Sequence, residues 1–147
     1  MTVLLDAYAV VAYLRGEPAA DDVAVLLKGR TVLAAVNAAE VVDQLVRVWN
    51  RELDDVLVAL SLLNRNNMAI TDATETTALE AGRLRSQYYD KRSCSVSMAD
   101  CFAAATALAM DAALATSDPH LVLLMLQEGG RVHPLPDRQG RIPPILR

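Results

Sequence analysis

Four acidic residues stand where strands end or helices begin. Asp6 closes the apolar run Val3-Leu4-Leu5, and Asp118 follows the short apolar run Ala113 to Ala115. Asp100 sits near the start of Ser97 to Met110, a run of Ala, Leu and Met that is apolar on nearly every side and therefore reads as an interior helix. Glu40 comes three residues after Asn37, ahead of a further apolar run. Each acid has a local explanation. Asp6 and Asp118-Pro119 are good helix starts, and Asn37-x-x-Glu40 and Ser97-x-x-Asp100 have the spacing of capping boxes. Capping, however, gives no reason for the acids to converge, whereas a parallel α/β topology delivers all of them to one edge of the sheet.

Convergence has an electrostatic consequence. Two carboxylates about 5 Å apart repel by about 3 kcal/mol at an effective dielectric near 20. Several such pairs would consume most of the roughly 5 to 15 kcal/mol that holds a domain folded. Either a cation sits among them or some are protonated, and helix N-termini favour the ionised form. Oxygen ligands select Mg²⁺ or Mn²⁺. An ion held by carboxylates with open positions suits phosphoryl chemistry, because it polarises a phosphate, lowers the pKa of an attacking water and neutralises the leaving oxygen. That chemistry needs no nucleophile from the protein, and no Ser, Cys or His is placed near a partner base. Thr116 and Ser117, just before Asp118, are placed to orient the water or an acid, although Ser117 equally suits a helix cap. Asp43, one turn beyond Glu40, reads as a solvated helix face, and Asp54, Asp55, Glu75 and Glu80 as surface charge.

The elements that must position these residues alternate along the chain. Strands are predicted at Val3 to Leu5, Thr31 to Ala34, Met68 to Ile70 and Ala113 to Ala115, with an edge strand at Arg131 to His133. Helices are predicted at Ala7 to Leu14, Asp21 to Leu27, two between Val41 and Leu63, Asp72 to Asp90, Ser97 to Met110 and Pro119 to Leu126. This is an α/β pattern: a three-layer α/β/α sandwich with a short-stranded, mainly parallel central sheet, whose ligands bind at the carboxyl ends of the strands. Residues 1–133 are expected to form the domain. Residues 134–147, with four of the chain's six prolines and with Arg138, Arg141 and Arg147, are expected to form an irregular, partly mobile basic tail.

Composition narrows the class. The 147 residues suffice for one domain with its own core. Ala, Val and Leu fill it, since 53% of residues are hydrophobic and only 4% aromatic. Cys94 and Cys101 read as buried space-filling thiols, and with His120 and His133 they offer no structural zinc spacing. Charges break every apolar run before it reaches membrane-spanning length, and the start lacks the basic residues of a signal peptide, so a cytoplasmic protein is expected.

At the four acids the chain resembles the PIN domain family, and within it the VapC toxins of bacterial toxin–antitoxin pairs. The matching segments are Leu4-Leu5-Asp6-Ala7-Tyr8-Ala9, Asn37-Ala38-Ala39-Glu40-Val41, Ser97-Met98-Ala99-Asp100 and Leu114-Ala115-Thr116-Ser117-Asp118. The resemblance implies a Mg²⁺- or Mn²⁺-dependent endoribonuclease that cuts RNA, is often a homodimer and is held inactive by a cognate antitoxin. It assigns Asp6, Glu40, Asp100 and Asp118 to metal binding and catalysis, with Thr116 as the polar residue beside them. Ala7 departs from the Thr or Ser common after the first acid, which removes a hydroxyl there. The formal net charge of -4 falls to zero without the four acids, so it does not oppose an RNA substrate. Phosphate contacts are available from Arg83, Arg85, Lys91, Arg92 or the tail arginines, and the helices from Val41 to Leu63, with the only Trp, offer a groove for an antitoxin helix or a second subunit. The alternative is a catalytically inactive PIN-like binding module whose acids only cap helices. A phosphatase of the haloacid dehalogenase type would need a second Asp where Tyr8 stands.

Overall fold

The inner strands are short aliphatic runs because helices cover both of their faces, as a parallel sheet requires, while the two edge strands are partly exposed. The structure, a computed structural model, describes residues 1–145; Arg147, one of the tail's basic residues, lies outside the described residues. The strands are β1 (Thr2–Leu5), β2 (Arg30–Ala34), β3 (Met68–Thr71), β4 (Ala113–Thr116) and β5 (Arg131–Pro134), all parallel in the order β3-β2-β1-β4-β5. The helices are α1 (Ala7–Arg15), α2 (Ala20–Leu26), α3 (Ala35–Asp43), α4 (Leu53–Arg65), α5 (Glu75–Tyr88), α6 (Met98–Ala109) and α7 (Pro119–Gln127). One π-helical turn, Gln44–Val48, continues α3.

The pleat divides the core in two. Leu4 and Leu114 pack with Leu84, Cys101, Ala104 and Leu121 on one face, while their neighbours Leu5 and Ala115 pack with Val10, Leu33, Val41 and Leu60 on the other. The three-layer reading is thus the observed architecture. Register sets the site: Leu5 lies opposite both Leu33 and Ala115, and the Asp6 N–H donates to the Ala115 carbonyl at 3.3 Å. Asp6 and Thr116 therefore lie side by side where the two central strands end. Cys94 and Cys101 are free and buried. No helix among the described residues is long and apolar enough to cross a membrane.

Three local expectations change. Helix α3 starts at Ala35, directly after β2, with Ala34 as an N-cap that has no side-chain bond. Asn37-x-x-Glu40 is therefore not a capping box, and Glu40 lies in the second turn rather than the first. Ala34-Ala35-Val36 carries no turn residue, so strand passes to helix without a loop. Helix α5 begins at Glu75 instead of Asp72, because Thr74 and Thr77 form the capping box there; the one expected at Ser97 and Asp100 is present. The segment after β5 is irregular, as expected, but from Leu135 to Arg141 it is fastened to the domain. Leu135 is fully buried and its N–H donates to the Thr116 carbonyl, while the Tyr8 hydroxyl donates to the Pro136 carbonyl at 2.7 Å.

Candidate active site

The carboxyl edge of the sheet carries all four predicted acids. Asp6 is the N-cap of α1, is only 5% exposed, and accepts the Ala9 N–H at 2.8 Å. Asp118 is the N-cap of α7 and accepts the His120 N–H at 2.8 Å. Asp100, in the first turn of α6, accepts the Ser97 N–H at 2.8 Å, and Ser97 Oγ accepts the Asp100 N–H in return. Glu40 Oε2 accepts a bond from the Asn37 amide at 3.0 Å. Thr116 is fully buried; its hydroxyl accepts the Asp118 N–H at 3.1 Å and stabilises the charge on Asp6.

These groups influence one another. The Asp6 carboxyl is pushed up to about 7, chiefly by loss of water, with the charges of Asp100 and Asp118 adding to the effect and the Thr116 and Ala9 hydrogen bonds opposing it. Burial raises Glu40, helped by the charges of Asp100 and Asp43, and raises Asp100, helped by Asp118. The expectation that helix N-termini keep the acids ionised therefore fails at Asp6, where desolvation is the larger effect. The crowding is also looser than expected. Among the described residues no three Asp, Glu, His or Cys side chains are grouped closely enough to hold one metal ion. The physical reason is that three carboxylates turn back onto backbone amides and the fourth onto Asn37.

The donor set nevertheless fits a hard divalent cation. Asp6 is buried, two further acids raise it, and no basic side chain figures among the influences on it. Mg²⁺ keeps several waters and takes only one or two carboxylates, so a loose ring of acids suits it where a closed cage would not.

Two residues here had no functional reading in the sequence. Asn37 is 1% exposed and its Nδ2 donates both to Glu40 Oε2 and, at 3.1 Å, to the Ala99 carbonyl next to Asp100. Both partners are acceptors, so only the amide nitrogen satisfies them, and Asn37 ties Glu40 to the start of α6. Its spacing suggested a cap; only the apolar setting of the helix signals burial. His120 Nδ1 accepts from the Ser95 N–H at 3.1 Å and lies 3.0 Å from Ser95 Oγ. A backbone N–H can only donate, so Nδ1 carries the lone pair and Nε2 the hydrogen. Twenty-five residues separate this pair, and no sequence pattern links them. Asn37→Asp is expected to destabilise the chain by about 3 kcal/mol or more at pH 7, since a carboxylate would face two acceptors; urea unfolding measures it.

Comparison with known proteins bears on the fold and the family. The family model for the PIN domain matches residues 3–123. No curated protein matches the chain in sequence. Among solved structures, VapBC-1 from nontypeable Haemophilus influenzae superposes with a TM-score of 0.67 at 19% identity, covering 90% of this chain and 97% of that one. FitAcB from Neisseria gonorrhoeae gives 0.63 at 24% identity, covering 88% and 95%. Mycobacterium tuberculosis VapC20, a toxin that cleaves the sarcin-ricin loop, gives 0.60 at 12% identity, covering 75% and 84%. At these identities the likeness is one of fold, and the family match spans every one of the four acids: the chain belongs to the PIN domain family.

Proposed function

We propose that this PIN domain protein is a metal-dependent endoribonuclease, the toxin of a toxin–antitoxin pair. The observation that carries this reading is Asp6: a carboxyl at the carboxyl edge of a parallel sheet, raised chiefly by its burial and further by the charges of Asp100 and Asp118, with no basic side chain among the influences on it. Asp6, Glu40, Asp100 and Asp118 would hold Mg²⁺ or Mn²⁺. Bound there, such an ion polarises a phosphodiester and lowers the pKa of the water that attacks it. The chain's own residues set the frame. Thr116 favours the charged form of Asp6, Ser97 fixes Asp100, and Asn37 aims Glu40. Thr116 also holds the backbone of Asp118. We assign the nuclease unit to residues 1–133, with 134–147 as a C-terminal segment whose Pro134 completes β5 and whose Leu135 packs into the core, and we assign the protein to the cytoplasm.

A toxin–antitoxin complex from Klebsiella pneumoniae shares the fold, with a TM-score of 0.60 at 17% identity, and an antitoxin is the partner we assign to this chain. Its docking surface would be the outer face of α4, where Leu57, Val58 and Leu62 are about half exposed beside a groove of about 380 Å³ lined by Ala38, Val42, Leu60 and Ile70. A homodimer is the assembly proposed for the free chain. The second reading, an inactive binding module, is favoured by the bonds that Asp6, Asp100 and Asp118 make to their own helices.

Purified, antitoxin-free chain separates the two. The nuclease cuts single-stranded RNA with Mg²⁺ or Mn²⁺ and stops in EDTA. Cleavage that persists in EDTA rejects the metal mechanism, and a well-folded chain that cuts no RNA with metal is the binding module.

A further inference from the structure

We infer that the C-terminal turn, residues 137–141, is a phosphate-binding subsite that grips RNA beside the candidate active site; this rests on the nuclease reading above. The turn is built by Asp137, whose Oδ1 accepts the N–H groups of Gln139 and Arg141 and whose own N–H donates to the Arg141 carbonyl. It closes a cleft of about 380 Å³ against Tyr8, Gln44 and Ser117. These three belong to the segments that carry the acids. Tyr8 is two residues beyond Asp6, Ser117 directly precedes Asp118, and Gln44 lies one turn beyond Glu40 on the same side of the helix. The cleft thus adjoins the acid edge, where the phosphates flanking a cut bond must lie.

What the cleft offers is two oriented guanidinium forks. Arg138 spends its Nε on Glu17 at 3.0 Å and lies 5.4 Å from the Trp49 ring centre. Arg141 spends its Nε on Asp137 at 3.0 Å. Their Nη groups have no hydrogen-bond partner among the described residues, and the side chains remain 53% and 74% exposed. Each carboxylate cancels a charge but also holds its fork in one orientation, leaving paired N–H donors that match phosphate oxygens. The lining is mainly polar and holds no stack of aromatic rings, so it suits a sugar-phosphate backbone rather than a base.

Fluorescence anisotropy with a labelled single-stranded RNA on the full chain, in EDTA so that nothing is cut, tests this. The Arg138→Gln/Arg141→Gln variant is compared with Arg30→Gln/Arg65→Gln, which removes the same charge from exposed positions at the opposite edge of the sheet. The cleft variant is expected to bind on the order of tenfold more weakly. The slope of its log affinity against log salt should be shallower by about 1.4, as for two lost contacts to a single strand, and the control should change by less than about threefold. Arg141→Gln alone, at the more exposed position, keeps the test open if the double variant misfolds, with roughly half the slope change. Equal losses in both variants, unchanged affinity in the cleft variant, or no binding by wild type overturn the inference. Mg²⁺-dependent cleavage by the same wild-type sample separates the two readings. Cutting without a difference between variants sinks the cleft alone; binding through the cleft without cutting sinks the nuclease alone.

Discussion

The Asp6→Asn variant is expected to lose RNA cleavage by a factor of about a hundred to a thousand while becoming more stable than wild type at pH 8 in EDTA. The two effects have one cause. The wild-type carboxylate is buried beside two other acids and titrates only near 7, so at pH 8 the folded chain carries a charge that its surroundings disfavour. Asn removes that charge, keeps the shape, and retains an oxygen for the Ala9 N–H, since Asn caps helices as well as Asp does. A residue that served only as a cap would change neither property much, and a residue needed only for folding would lower both. Initial rates on RNA with Mn²⁺ and thermal melts in EDTA measure the pair. Activity within about threefold of wild type, or a lower melting temperature, contradicts the assignment of Asp6.

The second large effect is on stability against pH. The carboxyl of Asp6 rises from 3.8 to about 7 on folding, so between these values the folded chain holds a proton that the unfolded chain has shed. Stability is therefore full below about pH 4, falls as pH rises, and levels off above 7; the loss is on the order of 4 kcal/mol without metal. Glu40 and Asp100, also raised by burial, act in the same direction. The acids held low by partners oppose this only at the acid end: Asp43 by Arg47, Glu80 by Arg83, and Asp90 by the amides of Ser93 and Arg92. A divalent ion competes with the proton, so Mg²⁺ or Mn²⁺ should stabilise the chain more at pH 8 than at pH 5. At a hundredfold its dissociation constant the ion adds about 2.7 kcal/mol. Urea unfolding at the two pH values, with and without Mn²⁺, reads this; a flat pH profile, or equal stabilisation at both, contradicts it.

The sequence was most informative where local and global rules coincide. Asp6 and Asp118 each follow an apolar run too short for anything but a buried strand, and parallel strands place both at one edge, so their neighbourhood is legible in the sequence alone. The side-chain orientations are not. Whether Asp6 faces water depends on how closely α1 and the ends of β1 and β4 pack, and that packing lifts its carboxyl against the pull of a helix N-terminus. Asn followed by Glu three residues on describes a cap and equally a buried cross-link, and at Asn37 the choice turns on α3 starting directly from β2. The end of the chain looked like a tail because proline and arginine seldom build a core. One leucine, Leu135, was enough to anchor it, along with a tyrosine bond from 128 residues away.

Calorimetric titration of Mn²⁺ into the metal-free chain, wild type beside Asp6→Asn and Asp100→Asn, bears most directly on the idea that these acids form a cation site. The wild-type chain should give a saturable isotherm, and each variant should bind at least about tenfold more weakly. No binding by a folded wild type, or the same affinity in all three chains, would mean that the acids serve their helices alone.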